Sequence, residues 1–435
     1  MKNKKIKVGL IGCGIVGSGL VNLINNNKSR IIELKTVVVK NTKKPRKAGM
    51  PNLSGKVEDI IEDPEIDIVV ELIGGLNPAK DYIIRAIRNG KHVVTANKSL
   101  ISEYGSLIFK EAGRYNVNVG FEGAVGGGIP IINPLLEQLK LGKINKISGI
   151  LNGTTNFILT RMSEGMDYQS ALKIAQKKGF AESNPDFDVK GLDAAQKISI
   201  LASLAFGKIF KPNEVFCSGI TEITPIDIEY AKELGYNIKL LAAAEKTSNG
   251  KVDIKVHPAL LNRNHRLAGV NEEFNAILIE GEPFDEYFIA GKGAGRGPTA
   301  FSVFYDIIKI AQMIRTRTTR RILINQAGTK IADQDKIETE GYLRIYLRHI
   351  PGSAHRVFGI LAEHGWNVKD SIQRSNRRYE IKSEGIKYLP YIITHEPLSF
   401  AAIKDSLTSL MRLEEEGSKI IHGNPFYMRI DKSIK

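Results

Sequence analysis

An α/β fold in several parts is predicted for this 435-residue chain from three features of its order. At the N-terminus an apolar strand runs into a glycine-spaced turn and a helix. In the middle a charged, glycine-bounded segment leads into a long apolar helix, and at the C-terminus strands and helices alternate as β-α-β-β-α. At about 150 residues per domain, the length allows roughly three domains. Hydrophobic residues make up 42% and charged residues 25%, which is ordinary for a soluble globular chain and too polar for a membrane span.

The first element is the buried-strand pattern Lys7-Val8-Gly9-Leu10-Ile11. Gly12-Cys13-Gly14-Ile15-Val16-Gly17 follows, and Leu20-Val21 with Leu23-Ile24 continues as a helix. Strand, Gly-x-Gly-x-x-Gly and helix in this order form a dinucleotide-binding unit. One glycine makes the tight turn, one lets the backbone approach a pyrophosphate, and one lets helix pack on strand. Met1 to Lys5 followed by apolar Ile6 to Cys13 also has the outline of a short signal or lipid-attachment segment, but that reading leaves the later glycines unexplained.

A second strand, Leu34 to Val39, arrives at the expected distance. Its end normally carries an acidic residue for the adenine ribose when NAD is preferred, whereas this chain has Lys40-Asn41, with Lys43, Lys44 and Arg46 close behind. Those cations either attract the extra phosphate of NADP or form a solvated basic loop. Further strands are expected at Ile66 to Ile73, ending in Gly74-Gly75, at Lys91 to Thr95, ending in Ala96-Asn97-Lys98, and at Asn118 to Phe121. Each stops where a parallel sheet presents its ligand edge, which aims Lys98 at the cofactor crevice.

The segment from Gly179 to Lys197 packs four carboxylates, Glu182, Asp186, Asp188 and Asp193, and two lysines into one short stretch. Asp193 and Lys197 are four apart at the start of the apolar run Ile198 to Phe206, so they share a helix face. Carboxylates and an amine beside a helix N-terminus either hold a zwitterionic substrate and move a proton or form a solvated ion pair.

The net charge of +15 would suit nucleic acid or an anionic cofactor. The lysines are scattered, with neither aromatic interleaving nor a one-sided arginine stripe, so no nucleic-acid partner is expected. The two cysteines, Cys13 and Cys217, build no disulfide framework. Transition-metal spacings are missing, and a reducing cytoplasm is the expected location.

With these pieces in place the chain resembles the homoserine dehydrogenase family over nearly its whole length. The resemblance rests on Gly12 to Gly17, Val70-Glu71-Leu72-Ile73-Gly74-Gly75, Thr95-Ala96-Asn97-Lys98, Glu122 to Pro130, Asn152-Gly153-Thr154-Thr155-Asn156, the Gly179 to Lys197 segment and Gly293-Ala294-Gly295. It implies reduction of aspartate semialdehyde to homoserine with NAD(P)H, on the route to threonine, methionine and isoleucine. By position it implies catalytic roles for Lys98 and Lys197, with Lys197 the proton donor, and substrate binding by Glu182, Asp193 and Asp188. Cofactor contacts are implied at Gly12, Gly14, Ile15, Val16, Gly17, Lys40, Ile73, Lys98, Gly179, Gly293 and Gly295, with NADP expected and NAD the alternative. Oxygens of Glu122, Val125, Gly127 and Ile129 are implied to hold sodium or potassium, the other reading being a glycine turn without an ion.

The expected organisation is a Rossmann-type domain over 1–132, completed by 297–320, then an α+β catalytic and dimerisation domain over 133–296. A linker at 318–338 precedes a ferredoxin-like ACT domain at 341–435, and the assembly is expected to be a homodimer or homotetramer. The ACT resemblance implies threonine as effector. His349-Ile350 stands where an acidic residue commonly precedes the Pro351-Gly352 turn, which leaves a working sensor and a purely structural or oligomerising tail both open. Two rival functions are a catalytically idle sensor and a thioester-forming dehydrogenase. The lysines and carboxylates above argue against the first, and the setting of both cysteines against the second.

Overall fold

The computed structural model describes residues 5–27, 31–43, 51–322, 324, 329–373, 379–415 and 419–431. Lys44 and Arg46 of the basic turn lie outside the described residues, as does part of the 318–338 span. The chain forms two compact units. The first is drawn from 1–153, 192–215 and 273–329, the second from 154–191, 216–272 and 330–435.

In the first unit, six parallel strands take the order β3-β2-β1-β4-β5-β6. These are β1 (Ile6–Ile11), β2 (Ile32–Val38), β3 (Asn52–Ser54), β4 (Ile68–Glu71), β5 (His92–Thr95) and β6 (Val119–Gly120). A parallel sheet is covered on both faces, which is why β4 reads as continuous apolar sequence and Ile68, Val69 and Val70 are fully buried. The strand order reverses between β1 and β4, and that reversal opens a crevice at the carboxyl ends of the strands, where dinucleotides bind in this architecture. β3 has too short and polar a pattern to be seen in the sequence, and is defined by its pairing with Thr36 to Val38.

Helix Ile15–Asn27 covers one face together with helix Arg296–Thr316, which returns from late in the chain. Leu20, Val21 and Ile24 share a core with Ala300, Val303, Phe304 and Ile307. The two helices approach so closely at Gly19 that a β-carbon there would lie 3.0 Å from that of Ala300. The same unit contains an antiparallel ladder of strands Lys143–Ile150, Phe274–Glu282 and Asp285–Lys292.

In the second unit, strands Tyr236–Lys246 and Val252–Asn262 form a long antiparallel pair. The C-terminal region has the order strand Glu338–Arg348, helix Ser353–Glu363, strands Val368–Gln373, Ile381–Ser383 and Ile386–Ser399, helix Phe400–Glu415, strand Ile421–Asp431, the short Ile381–Ser383 pairing with the strand after it. Its core is Leu343, Ile345, Val357, Leu361, Trp366, Ile393, Ile403 and Leu410 among others. Within this unit the tail is grouped with 154–191 and 216–272. Strand Ile421–Asp431 pairs in parallel with Val252–Asn262, from Ala259 opposite Arg429 to Leu261 opposite Asp431. Tyr342 Oη donates to Asp227 (2.9 Å) and Arg344 Nη1 pairs with the same carboxylate (2.6 Å), both within the fold. Asp227 is fully buried. Burial pushes its pKa up, and the guanidinium and three hydroxyl or amide donors oppose that only in part. A polar knot of this kind is costly to separate from its partners. Among the described residues no helix is long and apolar enough to cross a membrane.

Candidate active site

The glycines of the first turn occupy the three environments that a pyrophosphate site requires. Gly12 has φ +97° and no room for a β-carbon, which would lie 2.7 Å from the Leu72 carbonyl. Gly14 faces open space, and Gly17 sits where a β-carbon would strike the Gly12 carbonyl at 2.4 Å. Ile15 and Ile73, two of the expected crevice residues, are exposed, at 74% and 40%. Lys40 is exposed just past β2, and none of Val39, Lys40, Asn41, Thr42 and Lys43 is acidic.

The crevice loops are held by a side chain whose role the sequence did not reveal. Glu71, fully buried at the end of β4, accepts the N–H groups of Ile73 (2.8 Å) and Gly74 (3.0 Å) and the Thr95 hydroxyl (2.6 Å). Those bonds end β4 at Glu71, short of the expected Ile73. Thr95 Oγ1 accepts from the Asn97 N–H, and Asn97 in turn caps helix Lys98–Tyr115 by accepting from Leu100 N (3.1 Å) and donates to the Gly75 carbonyl (2.6 Å). The result is a fixed start for the helix, with Lys98 in its first position.

Lys98, Asp193 and Lys197 come together beside this helix start. Lys197 Nζ donates to Asp193 Oδ2 (2.6 Å) and to the Leu151 carbonyl (2.7 Å), and Lys98 Nζ lies 3.2 Å from Asp193 Oδ1. The Asn152 amide completes the set, donating to Asp193 Oδ2 at 2.9 Å. The shared helix face appears as expected, but the pair is not a solvated one, since Asp193 is 5% and Lys197 8% exposed. Helix Leu192–Phe206 is apolar nearly all round. Burial by itself would raise the Asp193 pKa; the two ammonium groups and the Asn152 amide overcome that and hold it at about 2. Asp193 is therefore a fixed anion that grips two ammonium groups, one of them, Lys197, buried.

The turn after β6 is built differently. The buried Glu122 carboxylate accepts the backbone N–H groups of Ile131 (2.5 Å), Ile132 (2.7 Å) and Asn133 (2.8 Å), together with the Asn133 amide. Its own N–H donates to Asp306 Oδ2 (2.7 Å), and Asn133 also donates to Asp306 Oδ1 (3.1 Å). The Gly127 carbonyl accepts from Ser302 Oγ (2.7 Å). Val125 and Ile129 are buried to within 1%. The Glu122 carboxylate is thus surrounded by N–H donors, which leaves the backbone carbonyls of Glu122, Val125, Gly127 and Ile129 as the oxygens through which the expected set would act. Burial and the neighbouring Glu122 charge push Asp306 up to about 7.

Glu182, Asp188 and Gly179 belong to the second unit. Glu182 is exposed on the segment before the short helix Asp186–Val189, and its carbonyl accepts from Gln176 Nε2 (3.1 Å). Asp188 is half-buried in that helix, and Gly179 has φ +76° with open space around it. Cys217 donates to the Lys190 carbonyl (3.2 Å), and burial pushes its thiol up to about 11, far from a thiolate nucleophile. Among the described residues no group of three or more His, Cys, Asp or Glu side chains forms a metal site.

A six-stranded parallel sheet with a pyrophosphate turn, and a lysine–aspartate–lysine cluster around the buried Asp193 at its ligand edge, define an NAD(P)-dependent oxidoreductase. Comparison with known proteins makes this specific. Residues 12–122 match the model of the homoserine dehydrogenase NAD-binding domain and residues 130–308 that of homoserine dehydrogenase. A Synechocystis homoserine dehydrogenase is 42% identical over 85% of this chain and 89% of its own length. A crystal structure of a homoserine dehydrogenase from Thiobacillus denitrificans superposes with a TM-score of 0.90 at 34% identity, covering 98% of both chains. A hyperthermophilic archaeal homoserine dehydrogenase, solved in complex with NADPH, has a TM-score of 0.61 at 28% identity and covers 71% of this chain and 98% of its own. This chain belongs to the homoserine dehydrogenase family, oxidoreductases that act on a CH–OH group with a nicotinamide cofactor.

Proposed function

We propose that the chain reduces L-aspartate 4-semialdehyde to L-homoserine, with NADPH preferred to NADH, as a step toward threonine, methionine and isoleucine. The observation that carries the chemistry is the Asp193 carboxylate clamped between Lys197 and Lys98. The cofactor supplies a hydride to the aldehyde carbon. Lys197 gives its Nζ proton to the carbonyl oxygen as negative charge develops there, and Asp193 with the Leu151 carbonyl holds the ammonium in place for that transfer. Lys98 adds a second positive charge toward the same oxygen or the substrate carboxylate. Glu182 and Asp193 receive the substrate amino group, with Asp188 as an acidic neighbour. Gly12, Gly14, Gly17 and the adjoining Ile15, Val16 and Ile73 would hold the dinucleotide, as would Gly179, Gly293 and Gly295.

Sodium or potassium at the 122–129 turn would take the backbone carbonyls of Glu122, Val125, Gly127 and Ile129, since the Glu122 side chain is engaged by N–H donors. The tail is read as an ACT module, in keeping with its strand and helix order. With His349-Ile350 before Pro351-Gly352, threonine should inhibit weakly or not at all. A cytoplasmic homodimer or homotetramer without nucleic-acid or membrane partners completes the reading.

The preference for NADPH draws on Lys40 in place of an acidic residue, and on the archaeal relative that was solved with NADPH. Homoserine-dependent reduction of NADP should exceed that of NAD in kcat/KM, and Lys40→Asp should move the ratio toward NAD. A ratio left unchanged by the variant would put recognition of the 2′-phosphate elsewhere, and no homoserine-dependent reduction of either cofactor would reject the activity.

A further inference from the structure

Asn275, the second residue of strand Phe274–Glu282, is 1% exposed and has neither its Oδ1 nor its Nδ2 hydrogen-bonded to any described residue. A buried carboxamide with every polar valence unmet is costly, and in a native fold it usually marks a ligand or water site. Its surroundings say which. Gly293 lies so close that a β-carbon there would be 2.0 Å from Asn275 Nδ2, and a β-carbon on Gly153 would be 3.4 Å from Oδ1. The carboxamide is thus flanked by two glycines, at the junction of the Asn152-Gly153 turn and the Gly293-Ala294-Gly295 loop.

Both neighbours lead to functional parts of the same unit. On one side, Leu151 and Asn152 bond Lys197 and Asp193. On the other, the Gly293 loop feeds helix Arg296–Thr316, whose first turn lies against Gly19 of the helix that follows the pyrophosphate turn; a β-carbon on Gly19 would be 3.0 Å from the Arg296 carbonyl. Asn275 is thus joined through Gly153 to the turn that bonds Lys197 and Asp193, and through Gly293 to the helix packed behind the pyrophosphate turn, the two parts between which a nicotinamide ring would have to lie if its hydride is to reach a carbon beside Lys197. Ala294 and Gly295, next to the Gly293 cover, are exposed.

We propose that Asn275 recognises the carboxamide of the nicotinamide ring, its Oδ1 accepting from the ligand NH₂ and its Nδ2 donating to the ligand carbonyl, once the Gly293 loop slides off it. A primary amide is the complement of another primary amide, one donor and one acceptor on each side. This proposal rests on the dinucleotide reading above, and the experiment keeps the two apart.

NADPH and its acetylpyridine analogue, in which a methyl group replaces the amide NH₂, are titrated by fluorescence against wild type and Asn275→Leu, and both proteins are melted. Wild type should bind NADPH about tenfold more tightly than the analogue, the effect expected of one hydrogen bond to a buried partner. In Asn275→Leu that ratio should fall to about one, through loss of NADPH affinity, while Tm holds or rises because an unsatisfied amide has gone. Asn275→Ser, which keeps only a hydroxyl, must show the same collapse if leucine does not fold. Equal loss of both ligands, a preserved tenfold ratio, or a lower Tm with the ratio intact would each overturn the proposal. Failure of wild type to bind NADPH at all would overturn the dinucleotide reading beneath it.

Discussion

Two buried aspartates in the first unit have opposite electrostatic fates. Asp193 is 5% exposed and is held at about 2, because two ammonium groups and an amide converge on it. Asp306 is 2% exposed and is pushed up to about 7, because burial is reinforced by the Glu122 carboxylate. Burial is nearly equal at the two positions, so the neighbours decide the sign. In the first cluster two ammonium groups share one carboxylate, with Lys197 also donating to the Leu151 carbonyl (2.7 Å). In the second, Asn133 donates to both carboxylates while its Oδ1 accepts from Lys309 (2.8 Å) and Arg320 (2.7 Å), an arrangement that ties the turn after β6 to helix Arg296–Thr316. The first cluster is the one to which we assign the chemistry, and the second holds backbone.

The strongest test of that contrast is Lys197→Ala. Turnover should fall by about 100-fold or more, the usual scale for loss of a general acid, with NADPH affinity nearly unchanged. Steady-state kinetics beside a cofactor titration measures both, and a folded variant with retained turnover would remove Lys197 from the proton-transfer role. A smaller effect, about tenfold on turnover, is expected for Asn152→Ala, which deletes one hydrogen bond to Asp193 but leaves both ammonium groups. If this variant were as inactive as Lys197→Ala, Asn152 would have to touch substrate itself.

Asp306→Asn should barely alter turnover and should instead change how stability depends on pH. Between its ordinary value of 3.8 and about 7, the folded Asp306 keeps a proton that the unfolded chain has lost, so stability contributed by this group declines as pH rises through that window. Asp193 behaves oppositely, since its depressed pKa gives stability that is present above 3.8 and lost as pH falls toward 2. Urea denaturation at pH 5 and pH 8 should show a shallower decline in Asp306→Asn than in wild type, and an identical slope would mean that Asp306 does not titrate there.

The legible part of the site was the part written in local spacing. The glycines of residues 12–17 take the conformations that their order demands, and Asp193 and Lys197 meet because four residues is one helical turn. Glu71, Asn152, Asn133 and Asp306 were not legible as working residues, since each acts on a partner distant in the chain. Glu122 is a mixed case. Its glycine-rich turn is visible in the order of residues, whereas the folding back of Ile131, Ile132 and Asn133 to present their N–H groups to its carboxylate is not. The tail is similar at a larger scale. Its alternation of strands and helices is visible along the chain, whereas its pairing with Ala259 to Leu261 is not.

The sequence by itself determined the parallel dinucleotide sheet, the pyrophosphate turn and the pairing of Asp193 with Lys197, because backbone sterics and helical periodicity act over a few residues. Only the tertiary structure decided that the pair is buried, that Lys98 and Asn152 complete it, that Asp306 is held at about 7 and that Asn275 has no partner among the described residues. Each of those depends on desolvation and on charges or amides brought together across the chain, and such long-range terms leave no periodic trace in the order of residues.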